Sequence, residues 1–216
     1  MRCHFDQSDV RPRTCFTRVS LRVAALALAS VATLLASGCT NAQLTGDSPA
    51  YLIVAKLEAA SGLGSQTFGG VLESDVLTKG GVQEDGGRVT FALGLKDPGA
   101  AATPAQPSST NFITVNRYRV RFIRTDGRNT PGVDVPYPFD GAATVTVNGG
   151  GGIGNFVLVR VQAKLESPLM NLRNLGGAIA IATIAEVTFY GQDQAGNPVS
   201  VTGNISVNFA DWADPS

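Results

Sequence analysis

A single antiparallel β-sandwich of about eight strands, with one short helical turn, is the fold this chain predicts. Three observations lead there. From residue 51 onward, apolar and polar residues exchange places every second position, as on strands with one buried face. Gly, Pro and Asn clusters separate these runs, and such residues form turns. Of the 216 residues, 1–38 read as an export leader. The rest suits one all-β domain large enough to bury roughly 70% of its unfolded surface.

The leader rests on residues 23–36, VAALALASVATLLA, which are apolar or small without interruption. A bilayer span needs about 20 such residues, so this run fits the apolar core of a signal peptide. Arg18 and Arg22 precede it and supply the positive flank. No Arg-Arg pair is present, which argues against twin-arginine export. The run ends in Leu35-Ala36-Ser37-Gly38-Cys39. This resembles the lipobox of bacterial lipoproteins, with Ala36 where Leu is commoner. The resemblance implies lipidation of Cys39, which becomes the new N-terminus, and a membrane partner reached through that lipid. Thr40 rather than Asp after the Cys implies the outer membrane in a host that has two. Residues 39–50 then form the lipidated Cys and a polar tether, and 51–216 form the sandwich.

The strands follow in order. Residues 51–57 are a β-rich apolar run, and 66–77 a weaker one broken by Gly69 and Gly70. Residues 88–95 place Val89, Phe91, Leu93 and Leu95 on one side. Residues 111–124 place Tyr118, Val120 and Phe122 on one face and Arg117, Arg119 and Arg121 on the other. A short strand is expected at 142–147. Residues 155–166 are expected to turn Val157, Val159, Val161, Ala163 and Leu165 inward and Arg160, Gln162, Lys164 and Glu166 outward. Residues 178–190 and 199–209 complete the set, the latter alternating Val199, Val201, Ile205, Val207 and Phe209.

The helical turn is expected after Ser167 as cap, with Pro168 at its first position and Gly176-Gly177 closing it. Leu169, Leu172 and Leu175 fall at spacing three and would plug one end of the sandwich. Residues 97–110 hold three prolines and read as a long mobile crossover loop. The tetrapeptide AKLE recurs at 55–58 and 163–166, and no longer repeat accompanies it.

Between Val187 and Val201 the chain reads VTFYGQDQAGNPVSV. A strand ending in an acidic residue, a turn through Ala-Gly-Asn-Pro and a returning strand resemble the last hairpin of bacterial immunoglobulin-like and cadherin-like modules. The resemblance implies an immunoglobulin-like sandwich and no particular activity. The Cys and Trp core of antibody domains is missing.

Composition excludes several chemistries. The one His, His4, and Cys3 and Cys15 all lie in the leader, so the mature chain has no His and only Cys39. That excludes a His-dependent triad, a His/Cys zinc site, His-ligated haem and an intrachain disulfide. Five Arg and two Asp fall within 1–38, which leaves 12 basic and 15 acidic groups and a net charge of −3. Such a chain is a poor nucleic-acid binder. No cofactor and no metal is expected.

Four constellations remain. Gly149, Gly151 and Gly154 fit G-x-G-x-x-G, but the residues that follow read as a strand, whereas a dinucleotide site needs a helix there. Arg117, Arg119 and Arg121 would form a ridge, with Arg124 and Arg128 nearby, open to an anionic glycan or an acidic protein partner or compensated by carboxylates such as Glu186. Asp126, Asp134, Asp140 and Asp193 sit in loops, where a glycosidase would need two face to face, and Asn129 and Asn197 add oxygens for Ca²⁺. Tyr137, Phe139 and Trp212 lie outside clear strands, where aromatics stack on sugars or close a sandwich end. The expected function is a non-enzymatic binding or scaffolding lipoprotein of the cell envelope. The alternatives are a glycan-binding module using the loop aromatics and a hydrolase with paired carboxylates.

Overall fold

The alternation becomes strands almost where it occurs. The computed structural model describes residues 47–62, 67–79 and 81–212. Among them, eight long strands carry the fold: β1 (Ala50–Ala60), β2 (Val71–Asp75), β3 (Asp85–Leu95), β6 (Ile113–Ile123), β7 (Phe139–Val147), β8 (Gly152–Val159), β9 (Ile181–Asp193) and β10 (Pro198–Ala210). Two-residue strands β4 (Gly99–Ala100) and β5 (Thr103–Pro104) form a small hairpin inside the proline-rich segment expected as a mobile loop. A 3-10 turn at Ser109–Asn111 follows it.

The long strands make two sheets. One has the order β1-β3-β8 and the other β2-β10-β9-β6-β7. Neighbours are antiparallel except β2, which runs parallel to β10 from Ser206↔Val71 to Ala210↔Asp75. The inner faces meet through aromatic rings. Phe91 of β3 and Phe156 of β8 meet Phe189 of β9 edge-on, with centroids 5.0 and 5.4 Å apart, and Tyr118 of β6 lies 5.1 Å from Phe156. Such edge contacts add to the apolar burial of the rings.

Three aromatics cover the glycine directly across from them: Tyr118 over Gly141, Phe156 over Gly87 and Tyr51 over Gly94. A Cβ on those glycines would come within 2.3 or 2.4 Å of the facing ring. The missing side chains let each ring lie flat over its neighbour strand. Tyr118 also accepts a hydrogen bond on its phenol oxygen from the Val157 amide, 3.1 Å away, and so links the two sheets.

Three expectations need correction. Strand β8 ends at Val159, and residues Val161–Leu165 form a short helix, α1, rather than the end of the strand. The inward residues of β8 are Phe156 and Leu158, followed by Val159 after a register shift opposite Asp85 and Gly86, while Val157 is only half-buried. On α1 Ala163 is buried and Gln162 exposed as expected, but the last two positions are reversed: Lys164 is fully buried and Leu165 is exposed. A helical period replaced the expected period of two there. The helical turn is a 3-10 turn at Leu169–Leu172, with Pro168 preceding it and Ser167 making no cap. Leu169 and Leu172 are buried as expected, but Leu175 is exposed.

The register sorts the connections into two groups. Near Ala50 lie the segment after Leu95, the Asn148–Gly151 turn that opens β8, and the Asp193–Pro198 turn. At the opposite end lie the loop between β6 and β7 and the α1 region, where Leu169 and Leu172 plug the core.

Candidate functional site

Among the groups of charged side chains that the described residues assemble, one lies on the surface as a ridge and one in the core. The surface group is the arginine ridge. Alternation along β6 turns Arg117, Arg119 and Arg121 to solvent, opposite buried Tyr118, Val120 and Phe122. Arg119 lies directly across from Asp140 and Arg121 across from Glu186 in the strand register. The Arg119–Asp140 and Arg121–Glu186 ion pairs are both 3.1 Å. Arg117 reaches Asp140 at 3.7 Å and stacks on the Tyr190 ring, its guanidinium 4.2 Å from the centroid. Each arginine therefore has a carboxylate within ion-pair distance. The ridge no longer requires an outside anion to separate its charges.

The ridge runs into the loop 124–138. Arg124 and Arg128 both bind Asp126, at 2.6 and 2.9 Å. Hydrogen bonds from Arg124 foremost, then from the Arg128 amide and side chain, hold the Asp126 carboxyl well below the usual carboxylate range. Asn129 accepts a hydrogen bond from the Arg124 amide and donates one to its carbonyl, which closes the loop on itself. Asp134 accepts from the Thr130 amide. Beside Arg121 and Asn129, prolines 131, 136 and 138 line a cavity of about 280 Å³. Tyr137 is half exposed next to it, its ring over Gly132.

The carboxylates proposed as pairs are not brought together. Asp126, Asp134 and Asp140 keep the separate partners just described. Asp193 is buried in the β9–β10 turn and accepts hydrogen bonds from the Asn197 amide and side chain and from the Ala195 amide. Burial acts to raise its pKa. The Asn197, Ser48 and Ala195 hydrogen bonds outweigh that effect and leave it below the ordinary value. Among the described residues no cluster of three or more acidic, His or Cys side chains is poised to hold a metal ion.

The aromatics also part company. Phe139 is buried under the Arg160 guanidinium, 4.1 Å from its centroid, so its ring is not offered to a ligand. Trp212 is half-buried, with its indole N–H lacking a partner. Only Tyr137 of the three stands out in solvent. The glycines 149, 151 and 154 form the turn into β8 and part of that strand, not the start of a helix.

The core group escaped the sequence reading. Lys164 of α1 and Asp85 of β3 are both fully buried and form a 2.9 Å ion pair. The other Asp85 oxygen accepts the Ser74 hydroxyl of β2 at 2.6 Å, and Oδ1 also accepts the Gly62 amide at 2.9 Å. The cluster thus joins β3, the edge strand of the opposite sheet and the plugging helix. Two signals pointed to it. The inward period of Val89 and Phe91 extends back through Gly87 to Asp85, and a buried Asp needs a cation.

Cys39 and the leader lie outside the described residues. No helix among the described residues is long and apolar enough to cross a membrane. The chain matches no family model, no curated protein and no solved structure.

Proposed function

We propose that this chain is a non-enzymatic, exported lipoprotein of the cell envelope that acts through its sandwich as a binding or scaffolding module. One observation carries the reading: an apolar run of signal-peptide length ends in Leu35-Ala36-Ser37-Gly38-Cys39, eleven residues before the first strand begins. A lone thiol in an exported chain is otherwise unexplained, and thioether attachment to lipid explains it. The outer membrane is the site favoured by Thr40. The α1 cluster supports a structural part for its charged groups, since a fully buried Ser74 hydroxyl meets no substrate. Labelled palmitate should enter the wild-type chain and not Cys39→Ala. Equal labelling of the two would end the proposal.

A second reading is favoured by the proline-lined cavity and by Tyr137, exposed in the chain between two of its lining prolines. There the loop 124–138 would hold a glycan or other small ligand, with Tyr137 as the stacking group and Arg121 as the polar one. Titration with neutral oligosaccharides, followed by amide chemical shifts, should then move signals in 124–138. Shifts confined to other segments would set this reading aside.

A further inference from the structure

We infer that the Ala50 end of the sandwich rests on a lipid surface, the one that holds the Cys39 anchor. The inference rests on the lipoprotein reading and adds an interaction face and an orientation to it. Its first support is the distribution of charge. No acidic or basic residue occurs in 98–116, in 141–159 or in 194–210. The register brings the connections within these runs to one end of the domain. The described charges that remain there are Asp47, Lys96 and Asp97, together with Asp193, which is buried in its turn. The ridge, the 124–138 loop and the Lys164 cluster all lie away from this end. A charged group is costly to bring against a lipid interface, and a polar uncharged or apolar one is not.

The second support is an apolar face at that same end. Alternation in the small sheet turns Tyr51 and Ile53 of β1 outward, across from Gly94 and Ala92 of β3. Ile153 of β8 lies outward across from Thr90. Tyr51 is 44% exposed, Ile53 41% and Ile153 65%. The tip between β4 and β5, Ala101 and Ala102, is exposed and uncharged. Lys56, exposed in the same row as Ile153 and paired with Glu58 at 2.7 Å, bounds the face. A tyrosine at such a boundary keeps its ring in the apolar layer and its hydroxyl among headgroups.

The third support is distance. Eleven residues separate Cys39 from Tyr51. Fully extended they reach at most about 35–40 Å. The face begins at Tyr51, the second residue of β1. It therefore meets the lipid at an effective concentration on the order of millimolar. Contacts too weak to bind a free domain to a membrane are sufficient for a tethered one. The Arg ridge and the 124–138 loop would then point away from the lipid, free for other partners.

Nitroxide labels on the full-length, lipidated protein in phosphatidylcholine vesicles test this. One label is placed at Ile153→Cys and a control at Val133→Cys, which is exposed on the 124–138 loop. Collision with oxygen relative to a water-soluble nickel chelate reports the surroundings of each label. On reconstitution the ratio should rise several-fold at 153 and stay unchanged at 133, and Tyr51→Asp combined with Ile53→Asp should abolish the rise. A chain that carries lipid on Cys39 but keeps both labels equally aqueous overturns this inference and leaves the anchor standing. A chain without lipid on Cys39 overturns both.

Discussion

Two sets of ion pairs in this molecule have nearly the same length and opposite surroundings. Arg119–Asp140 and Arg121–Glu186 close at 3.1 Å with half-exposed guanidiniums, while Lys164–Asp85 closes at 2.9 Å with both side chains at 0% exposure. In water an ion pair competes with hydration and with the freedom of long side chains, so the surface pairs contribute little. In the core neither charge has water to return to. The attraction there offsets a large desolvation cost, and removal of one partner strands the other. Ser74 and the Gly62 amide complete the shell around Asp85, so the buried carboxylate has a donor on each oxygen. Burial, not distance, decides what an ion pair does for this fold.

The comparison predicts a graded series of losses. Lys164→Met or Asp85→Leu alone should cost about 3–5 kcal/mol in urea unfolding, because each leaves an unpaired buried charge. Ser74→Ala removes a hydrogen bond to a charged group and should cost about 1.5–3 kcal/mol in the same measurement. Asp193 is the intermediate case, a buried carboxylate compensated by hydrogen bonds without a cation. Its folded pKa is lowered, so its contribution is present above the unfolded value of about 4 and is lost as the pH falls through the lower folded value. Asp193→Asn should therefore be less stable at neutral pH and flatten the acid limb of a stability–pH curve. An unchanged acid limb would remove Asp193 from this account. Arg119→Gln should cost under about 1 kcal/mol, and less as salt rises. A loss there as large as that of Lys164→Met would erase the distinction between surface and core.

The fold was legible because most strands here have one wet face. On β6 the alternation of Arg117, Arg119 and Arg121 with Tyr118, Val120 and Phe122 places every side chain correctly. On β8 it failed. Ile153, Phe156, Val157, Leu158 and Val159 are apolar on both phases, so periodicity cannot tell which face is buried. The error carried into α1, where a strand phase sent Lys164 outward although three residues of helix turn it into the core. The parallel pairing of β2 with β10 is a long-range contact between residues 71–75 and 206–210, and no local signal encodes it. Of the surface features, the ridge was legible, and its neutralisation by Asp140 and Glu186 depended on register. Phe139 was misread because its burial under Arg160 depends on a side chain twenty-one positions away.

The claim that burial ties Lys164 and Asp85 together, so that neither can be lost alone, is tested most directly by a double-mutant cycle in urea. Lys164→Met and Asp85→Leu are measured singly and together. Each single variant should lose heavily, and the double variant should recover much of that loss, because it leaves no charge stranded in the core. A double variant whose loss equals the sum of the two singles would show that the two side chains do not act as a pair.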